Sequence, residues 1–340
     1  MGMNIGFHGY EPAFQSGQMM TSAGGSRHLT TTISEFTRLG HQVFWFGEGS
    51  NNTTKSANVS DVKLMDVIFL YWRWAMPEYL DRQKAYTRQM EIIKMTTASK
   101  TPVIVHDQDH KIDKKTKEFL IMMNVTLTEP SLFPRTGYSS LMYPSDRPLT
   151  SKYNPHSRFG LCYVGNNYER YDQTKRYLAD ARIAAIFYGN WLIKSDFRES
   201  PDQVKSDFPN VTFQGRLEAD QVINCLRHAT ATIHLAKSSY NETGFITARW
   251  AEAASAACPA FVPKEFKFID GYSNVGIVEN ASDVIRFLDV LDSLKDPNLG
   301  KSIVEWQRDF VNQYSKPDAW IEIAQKVQAN QTVIGEDDDE

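Results

Sequence analysis

Short apolar runs alternate with amphipathic helical patterns along the whole chain, and this alternation constrains the fold more than any other feature. Such alternation is typical of parallel sheets whose strands are joined by crossover helices. In the first half, the predicted strands are Asn4–His8, Gln42–Phe46, Val67–Tyr71, Val103–His106 and Val125–Thr128, and the predicted helices are Ser26–Leu39 and Glu78–Ala98. The sequence therefore predicts the α/β fold class.

The same alternation begins again after a polar, proline-containing stretch, "RPLTSKYNPHSRFG" at 147–160, which we interpret as a linker. The predicted strands are then Leu161–Val164, Ala184–Tyr188, Val211–Gln214, Thr230–Leu235 and Ala260–Val262, with helices at Gln173–Arg182, Asp220–His228 and Phe245–Ala257 and further helices between Ala281 and Ala329. We expect two doubly wound, Rossmann-like domains that face an interdomain cleft, because such sheets bind ligands at the carboxyl ends of their strands.

The expected domain limits follow from these patterns. Residues 1–155 form the first domain, residues 156–315 the second, and a helix at 316–330 packs back toward the first domain. The acidic residues of 331–340 are expected to be disordered.

Composition excludes several classes of protein. The N-terminus lacks a signal-peptide profile, and the longest apolar run, "DVIFLYW", is too short to span a bilayer. Three cysteines without a CxxC pair argue against a disulfide framework or a cysteine zinc site. Residues 1–155 carry 17 basic and 14 acidic side chains, against 20 and 27 in the rest. Phosphates would more plausibly contact the first half, although this excess is also within ordinary scatter.

The stretch "YNETGFITARWAEAASAACPAF" places Arg249 and Glu252 one turn apart on an alanine-rich helix. A helix N-terminus and an arginine together suit a diphosphate, and a carboxylate one turn further suits the two hydroxyls of a ribose. The alternative is an intrahelical ion pair on a solvated face. Flanking alanines weigh against a solvated face, but the residues leave both interpretations open.

Two strand-to-helix turns in the second half are candidate contacts for a phosphate or a nucleobase. One lies in "CYVGNNYERYDQ" and the other in "FQGRLEADQV", and each by itself is equally well explained as an ordinary connection. The candidates are Gly165, Asn166, Tyr168, Arg170, Gly215, Arg216 and Leu217.

In the first half, "PVIVHDQDHK" ends a buried strand on titratable groups. Among His106, Asp107 and Asp109, one carboxylate could act as a general base at the carboxyl end of the strand. The His and Asp residues could also bind a metal, but their spacing matches no standard zinc pattern.

Two further stretches of the first half carry candidate residues. Trp72, Arg73 and Trp74 in "FLYWRWAMPEYL" are explained either by core packing or by stacking on nucleic-acid bases. Arg27 and His28 follow a Gly-Gly turn that does not fit GxGxxG, so a Rossmann NAD site is disfavoured.

Together these stretches resemble the DNA β-glucosyltransferases of T-even bacteriophages, a family with the two-domain GT-B architecture. The family has Tyr-Asn-Asp, then Phe-Ile-Thr, one residue, Arg, two residues and Glu, and "YNETGFITARWAE" repeats this pattern with one inserted residue. The resemblance implies that Arg249 holds the UDP diphosphate, that Glu252 binds the ribose, and that Tyr240 belongs to the donor site. "SKTPVIVHD" resembles the strand that ends in the catalytic base, which implies that role for Asp107.

The resemblance also implies finer roles. Leu217 falls on the turn that reads uracil, Gly165 and Asn166 fall on the phosphate-side turn, and "YWRWAMP" falls on the loop that probes a flipped-base duplex. Two departures stand out. Tyr168 and Asp172 occupy the positions of two family arginines, and His28 occupies that of a sugar-side glutamate.

On this resemblance we expect an inverting transferase that moves a sugar, with glucose favoured, from a UDP-sugar to hydroxymethylcytosine or hydroxymethyluracil in double-stranded DNA. Mg²⁺ or Mn²⁺ could assist it. We expect a monomer in the cytoplasm of a phage-infected bacterium, without membrane contact. The alternatives are a GT-B transferase acting on a saccharide, lipid or protein, and a non-catalytic nucleotide- or DNA-binding protein.

Overall fold

The structure is a computed structural model that describes residues 2–9, 14–15, 18–19, 24–47, 54–144, 149, 151–156, 159–192, 199–267, 276–293 and 296–336. Residues 24–28 and 331–336 are described as helical backbone only. The chain divides into two compact units. Unit 1 comprises Met1–Pro144 together with Lys316–Glu340, and unit 2 comprises Ser145–Ser315.

Unit 1 is built around a parallel sheet. Its strands are β1 (Asn4–His8), β4 (Gln42–Trp45), β5 (Thr54–Ser56), β6 (Val67–Tyr71), β7 (Val103–His106), β8 (Thr126–Glu129) and β9 (Ser139–Ser140), and β2 (Phe14–Gln15) and β3 (Gln18–Met19) form a separate antiparallel pair. Its helices are α1 (Gly24–Arg38), α2 (Leu80–Ser99), α3 (Lys114–Met122), α11 (Asp318–Glu336) and a short 3₁₀ helix, Val59–Leu64. Within the described ranges the strand order is β5-β4-β1-β6-β7-β8-β9.

Both faces of this sheet are covered, and for this reason its central strand β6 is apolar without interruption. Every residue of β6 and β7 is buried. On one face, the Phe7 ring stacks on Phe69 with centroids 5.2 Å apart, and Trp320 of α11 packs beside Phe69 at 5.3 Å. The Trp320 indole also donates a hydrogen bond to the Met142 carbonyl at 2.7 Å. The last helix is therefore part of the core of unit 1.

Unit 2 repeats the same architecture. Its strands are β10 (Phe159–Val164), β11 (Ala185–Tyr188), β12 (Val211–Gln214), β13 (Ala229–Ile233), β14 (Ala260–Pro263) and β15 (Ile277–Val278). Its helices are α4 (Tyr171–Leu178), α5 (Pro201–Asp207), α6 (Ala219–His228), α7 (Ser238–Thr243), α8 (Ala248–Ala256), α9 (Ala281–Asp292) and α10 (Pro297–Tyr314). In the part of the chain that the structure describes, these strands are parallel and ordered β12-β11-β10-β13-β14-β15.

Each sheet contains a point at which the strand order reverses, and open α/β sheets bind their ligands there. In unit 1 the reversal lies between β1 and β6, so residues 72–79, which follow β6, are at this point. In unit 2 it lies between β10 and β13. The turn at 165–170 and the turn at 234–237 therefore flank the expected ligand position of unit 2.

The predicted α/β class is confirmed, and every predicted strand occurs, but three expectations need correction. Unit 2 begins at Ser145 rather than at residue 156, and Arg308 donates a hydrogen bond to the Ser151 carbonyl within that unit. The predicted helix from Phe245 begins instead at Ala248, because Gly244 adopts a left-handed conformation (φ 61°) and ends the separate helix α7. Helix α11 continues to residue 336, although we expected disorder from 331, and residues 337–340 lie outside the described part.

None of the described helices is long and apolar enough to cross a membrane. Cys162, Cys225 and Cys258 are free thiols.

Candidate functional site

Asp107 directly follows β7, at the carboxyl edge of the unit 1 sheet, and is 1% exposed. Its Oδ1 accepts a hydrogen bond from the Lys111 amide at 2.8 Å. Its Oδ2 accepts from the Ile112 amide at 3.0 Å and from Arg135 Nη2 at 2.7 Å. A carboxylate has about four acceptor positions. The carboxylate is thus fixed in orientation, with one of these hydrogen bonds on Oδ1 and two on Oδ2.

Glu129 ends the neighbouring strand β8 and shares Arg135 with Asp107. It is fully buried, and its two carboxylate oxygens accept from the Arg135 amide at 2.8 Å and from Nε at 2.7 Å. His110 Nε2 lies 3.5 Å from Glu129 Oε2. Burial lowers the pKa of Arg135, but its hydrogen bond to Asp107 and the charges of Asp107 and Glu129 outweigh burial and raise it. The guanidinium therefore remains charged between two buried carboxylates.

Sequence reasoning missed Glu129 and Arg135. Glu129 carried the same signal as Asp107, since both follow a predicted strand and the two strands are neighbours in the sheet. Arg135 carried none, because it lies in a loop and reaches Asp107 across 28 positions of the chain.

The other acceptor-side candidates are placed differently. His106 is fully buried, its Nδ1 lies 3.0 Å from Thr128 Oγ1, and its ring packs edge-on against Tyr143, so it is a core histidine rather than an acceptor contact. Asp109 is half-buried in the turn after Asp107. Arg27 and His28 lie in the first turns of α1, and their side chains are outside the described residues.

The loop after β6 combines a core residue with a surface residue. Trp72 is 2% exposed and packs edge-on against Tyr86 at 5.8 Å, so of its two explanations core packing is the one that its burial supports, and its expected contact with DNA is corrected. Trp74 is only half-buried. The Arg82 guanidinium lies 6.0 Å and the Lys111 ammonium 5.5 Å from its ring, within the range of cation–π contacts.

Beyond Trp74 the surface continues as a mixture of aromatic, apolar and cationic groups. Tyr79 is 51% exposed, with Arg82 5.1 Å from its ring, and Leu80 is 69% exposed. Arg73 is half-buried, and its amide donates to Gln89 Oε1 at 3.0 Å. We call Trp74, Tyr79, Leu80, Arg82 and Lys111 the Trp74 surface. It adjoins Asp107, because the Lys111 amide binds that carboxylate.

In unit 2, Arg249 and Glu252 lie on the first two turns of α8. Arg249 Nη1 donates a hydrogen bond to Glu252 Oε2. The two side chains do pair, but the face is not solvated: the Glu252 side chain is 4% exposed and that of Arg249 is 32% exposed. A buried carboxylate with a partly accessible arginine differs from an ordinary surface pair, which contributes little to stability.

His234 follows β13, at the reversal point of the unit 2 sheet. Its ring stacks on Trp250 with centroids 4.2 Å apart, and among the described residues neither ring nitrogen has a hydrogen-bond partner. Burial, with a further contribution from the Arg249 charge, lowers the pKa of His234 to about 3. The imidazole is therefore neutral near pH 7. Sequence reasoning missed it, although "TIHLAK" places it at a strand end.

Gly189, which follows β11, allows the ends of β10 and β11 to approach closely. A Cβ at Gly165 would lie 2.7 Å from the Tyr163 hydroxyl, and one at Gly189 (φ 137°) would lie 2.4 Å from the Gly165 carbonyl. That carbonyl accepts a hydrogen bond from the Trp191 indole at 2.7 Å. A larger residue at Gly189 would separate these strand ends, whereas one at Gly165 would displace the Tyr163 side chain of β10.

A chain of polar contacts extends from this turn across the sheet edge. Asn166 Oδ1 accepts from the Asn190 amide at 2.9 Å, and Asn190 Oδ1 accepts from Arg216 Nε at 3.1 Å. Leu217 is half-buried against the cluster around Cys162. The structure thus brings the predicted residues of two separate turns together through Asn190, which sequence reasoning missed.

Of the remaining donor candidates, Tyr168 lines a cavity of about 610 Å³, whereas Arg170 and Tyr240 are not among its lining residues. Tyr168 is 43% exposed, Arg170 is half-buried at the N-cap of α4, and Tyr240 is buried and stacks on Phe245 at 3.9 Å. The cavity is lined by Asn167, Tyr168, Glu169, Tyr171, Asp172, Gln173, Arg176, Glu199, Ala236, Ser238, Asn241 and Glu265. Polar side chains dominate this lining, and its carboxylates, which outnumber its one arginine, suit the hydroxyls of a sugar rather than a phosphate.

Two parallel α/β units, each with its candidate residues at the carboxyl ends of the strands, define the class of fold as GT-B. No protein-family model and no curated protein matches the sequence. Among solved structures, T4 phage β-glucosyltransferase in complex with UDP and Mn²⁺ matches with a TM-score of 0.66 at 16% identity, over 96% of this chain and 99% of that chain.

Two further structures match in the same way. The DNA-modifying enzyme β-glucosyltransferase, solved with and without uridine diphosphoglucose, has a TM-score of 0.66 at 16% identity, over 96% and 99% of the two chains. AviGT4, a glycosyltransferase of avilamycin A biosynthesis, has a TM-score of 0.58 at 10% identity, over 96% and 98%. At these identities the likeness establishes the fold, and it agrees with the family that the sequence motifs resemble.

Proposed function

We propose that this protein is a UDP-sugar-dependent glycosyltransferase that acts on DNA. It moves a sugar, with glucose favoured, to the hydroxyl of hydroxymethylcytosine or hydroxymethyluracil in a duplex. The observation that carries the proposal is the ion pair between the partly accessible Arg249 and the buried Glu252. It lies on the motif that resembles the phage family, in a chain with the fold of a DNA-modifying β-glucosyltransferase.

The donor occupies the carboxyl edge of the unit 2 sheet. Arg249 neutralises the diphosphate, and its charge matters most as the sugar leaves, because negative charge then develops on the departing oxygen. Glu252 accepts hydrogen bonds from the ribose hydroxyls. The uracil lies beside the contacts that link Asn166, Asn190 and Arg216. These assignments rest on the motif and on the proximity of the strand ends.

The reaction is a direct displacement at the anomeric carbon. The acceptor hydroxyl oxygen forms a bond to this carbon, the bond from the carbon to the diphosphate oxygen breaks, and the hydroxyl proton passes to Asp107. Attack opposite the leaving group inverts the anomeric configuration. Arg135 and the two amides hold the carboxylate in place, so Oδ1 is the oxygen that receives the proton.

DNA contacts unit 1 through the Trp74 surface. Its cations suit phosphates, and its exposed rings suit stacking on bases. The hydroxymethyl group of a stacked base is not accessible to a buried carboxylate, so we expect the target nucleotide to rotate out of the duplex. Lys111 belongs to this surface and its amide binds Asp107, which supports the proposal that DNA and the base lie on the same side of unit 1.

Mg²⁺ or Mn²⁺ is a proposed cofactor because a solved structure with this fold contains UDP and Mn²⁺. Among the described residues, no three His, Cys, Asp or Glu side chains are arranged to hold a metal ion. The steps of the displacement described above use residues of this chain. Loss of transfer in EDTA, restored by Mg²⁺ or Mn²⁺, would support the cofactor.

A panel of UDP-sugars tests the proposal, with duplexes containing hydroxymethylcytosine, hydroxymethyluracil or plain pyrimidines. We expect UDP release and hexosylated nucleosides only with hydroxymethylated DNA. UDP release with a saccharide, lipid or protein acceptor instead would favour a different transferase of the same architecture. Absence of UDP release with every acceptor would favour a non-catalytic binding protein.

Two variants test the donor side. Arg249→Met and Glu252→Gln should each weaken UDP binding by about tenfold or more, because each removes one charge-assisted hydrogen bond to the donor. Arg286→Met is the matched control, because Arg286 makes an i,i+3 pair with Asp283 at 3.0 Å on the exposed surface of the same unit. Unchanged UDP affinity in both site variants would refute the assignment.

A further inference from the structure

Lys237 is a buried cation at the reversal point of the unit 2 sheet. It lies in the turn between β13 and α7, and its side chain is 8% exposed. Its ammonium pairs with Glu169, which belongs to the turn after β10. The pair therefore joins the two turns between which a sheet of this strand order binds its ligand.

Two tyrosine rings lie beside the Lys237 ammonium, and its ion pair with Glu169 is not tight. The ring centroids of Tyr168 and Tyr240 lie 4.6 Å and 5.1 Å from Nζ, at cation–π distance. Glu169 Oε2 lies 3.5 Å away, longer than the about 2.7–2.9 Å of a tight charge-assisted hydrogen bond. The Glu169 side chain is also 54% exposed. This carboxylate can move away into water more easily than Lys237 can.

The backbone conformation of Glu169 is also unfavourable. Its φ is 52°, in the left-handed region that residues other than glycine rarely adopt. Such conformations concentrate at ligand-binding sites. The cavity of about 610 Å³ is lined by Glu169 and Tyr168 on one side and by Ala236, Ser238 and Asn241 on the other. Lys237 lies within this second segment.

We infer that Lys237 binds the diphosphate of the UDP-sugar and that Glu169 pairs with the Lys237 ammonium until the donor binds. This inference rests on the proposed function and adds a second cation to Arg249. A phosphate oxygen replaces Glu169 at the Lys237 ammonium, and Glu169 turns outward into solvent. Donor binding then exchanges one anion for another, and the buried ammonium is not left uncompensated. Tyr168 and Tyr240 keep the ammonium in place during the exchange.

Two substitutions have opposite expected effects. Lys237→Met removes the charge and keeps most of the volume, and should weaken UDP binding about 10- to 100-fold, the loss of one charge-assisted hydrogen bond. Glu169→Gln removes the competing anion and should tighten UDP binding by about threefold or more, since the exchange no longer breaks an ion pair. Uridine carries no phosphate, and its affinity should stay within about twofold in both variants.

The measurement is calorimetric titration of the full-length protein with UDP and with uridine. Lys264→Met and Glu279→Gln are the matched controls. These residues form an exposed pair in the same unit at 2.8 Å, and the Glu279 side chain is 54% exposed, as is that of Glu169. Neither control should change the affinity for UDP. Circular dichroism establishes that each variant is folded.

A purely structural Lys237–Glu169 pair predicts the opposite result for Glu169→Gln, namely equal or weaker UDP binding together with lower stability. That outcome, or wild-type UDP affinity in folded Lys237→Met, overturns the inference and leaves the proposed function standing. A wild-type protein that binds no UDP overturns both. If Lys237→Met does not fold, the direction of the Glu169→Gln effect decides by itself.

Discussion

Replacing Arg135 by methionine tests whether the ion cluster at the carboxyl edge of unit 1 is held as described. Arg135 bonds to Asp107 and Glu129 at 2.7 Å each, and these carboxylates are 1% and 0% exposed. Removing one partner of a buried ion pair costs about 3–5 kcal/mol. Because the Arg135 side chain is 30% exposed, water screens part of this interaction, and we expect a loss of roughly 2–4 kcal/mol.

Urea unfolding, followed by tryptophan fluorescence and circular dichroism, measures this loss. Arg182→Met is the control, because Arg182 pairs with Asp180 at 2.8 Å with 67% of its side chain exposed, and its removal should leave the free energy of unfolding unchanged. In Arg135→Met/Glu129→Gln the two changes should be non-additive, since the second removes a charge that the first leaves unpaired. An effect of Arg135→Met no larger than that of the control would refute the account of this cluster.

Three other predictions concern single positions. Asp107→Asn should reduce sugar transfer by about 10²–10⁴-fold while UDP affinity stays unchanged, and wild-type turnover in this variant would remove Asp107 as the base. The unfolded chain protonates His234 near pH 6.5 and the folded protein only near about pH 3, so stability should fall as pH drops through this window, by up to about 1.4 kcal/mol per pH unit. His234→Phe should flatten this part of the profile, and an equally steep profile in the variant would contradict the prediction. Trp74→Ala should weaken duplex binding without loss of stability, whereas Trp72→Ala should destabilise unit 1 by about 3–5 kcal/mol; filter binding and urea unfolding distinguish the two effects.

The strands were predictable because a strand buried on both faces is a continuous apolar run, and such a run is recognisable in the sequence whatever packs against it. The place of Asp107 at the carboxyl end of a strand was predictable for the same reason, whereas its role as a base is implied only by the family resemblance. The resemblance to the phage family, in turn, singled out Arg249 and Glu252. Their pairing on a buried face could not be read from the helix pattern, because burial depends on what packs against α8.

Other features depend on tertiary contacts that leave no local signal. Trp72 and Trp74 are two positions apart, so strand alternation would place both on the same face, and the sequence does not show that Trp72 is buried while Trp74 is only half-buried. The break between α7 and α8 depends on the left-handed conformation of Gly244. Lys237 reads as an ordinary polar turn residue, and only the packing of two tyrosines around it shows that its ammonium is buried.

The most direct test of the central claim is the mass of nucleosides from hydroxymethylcytosine-containing duplex DNA after incubation with the protein and UDP-glucose. We predict that the modified nucleoside gains the mass of one hexosyl residue in step with UDP release, and that Asp107→Asn does not produce it. If the folded wild-type protein leaves every hydroxymethylated duplex unchanged with every UDP-sugar tested, the proposed activity is wrong.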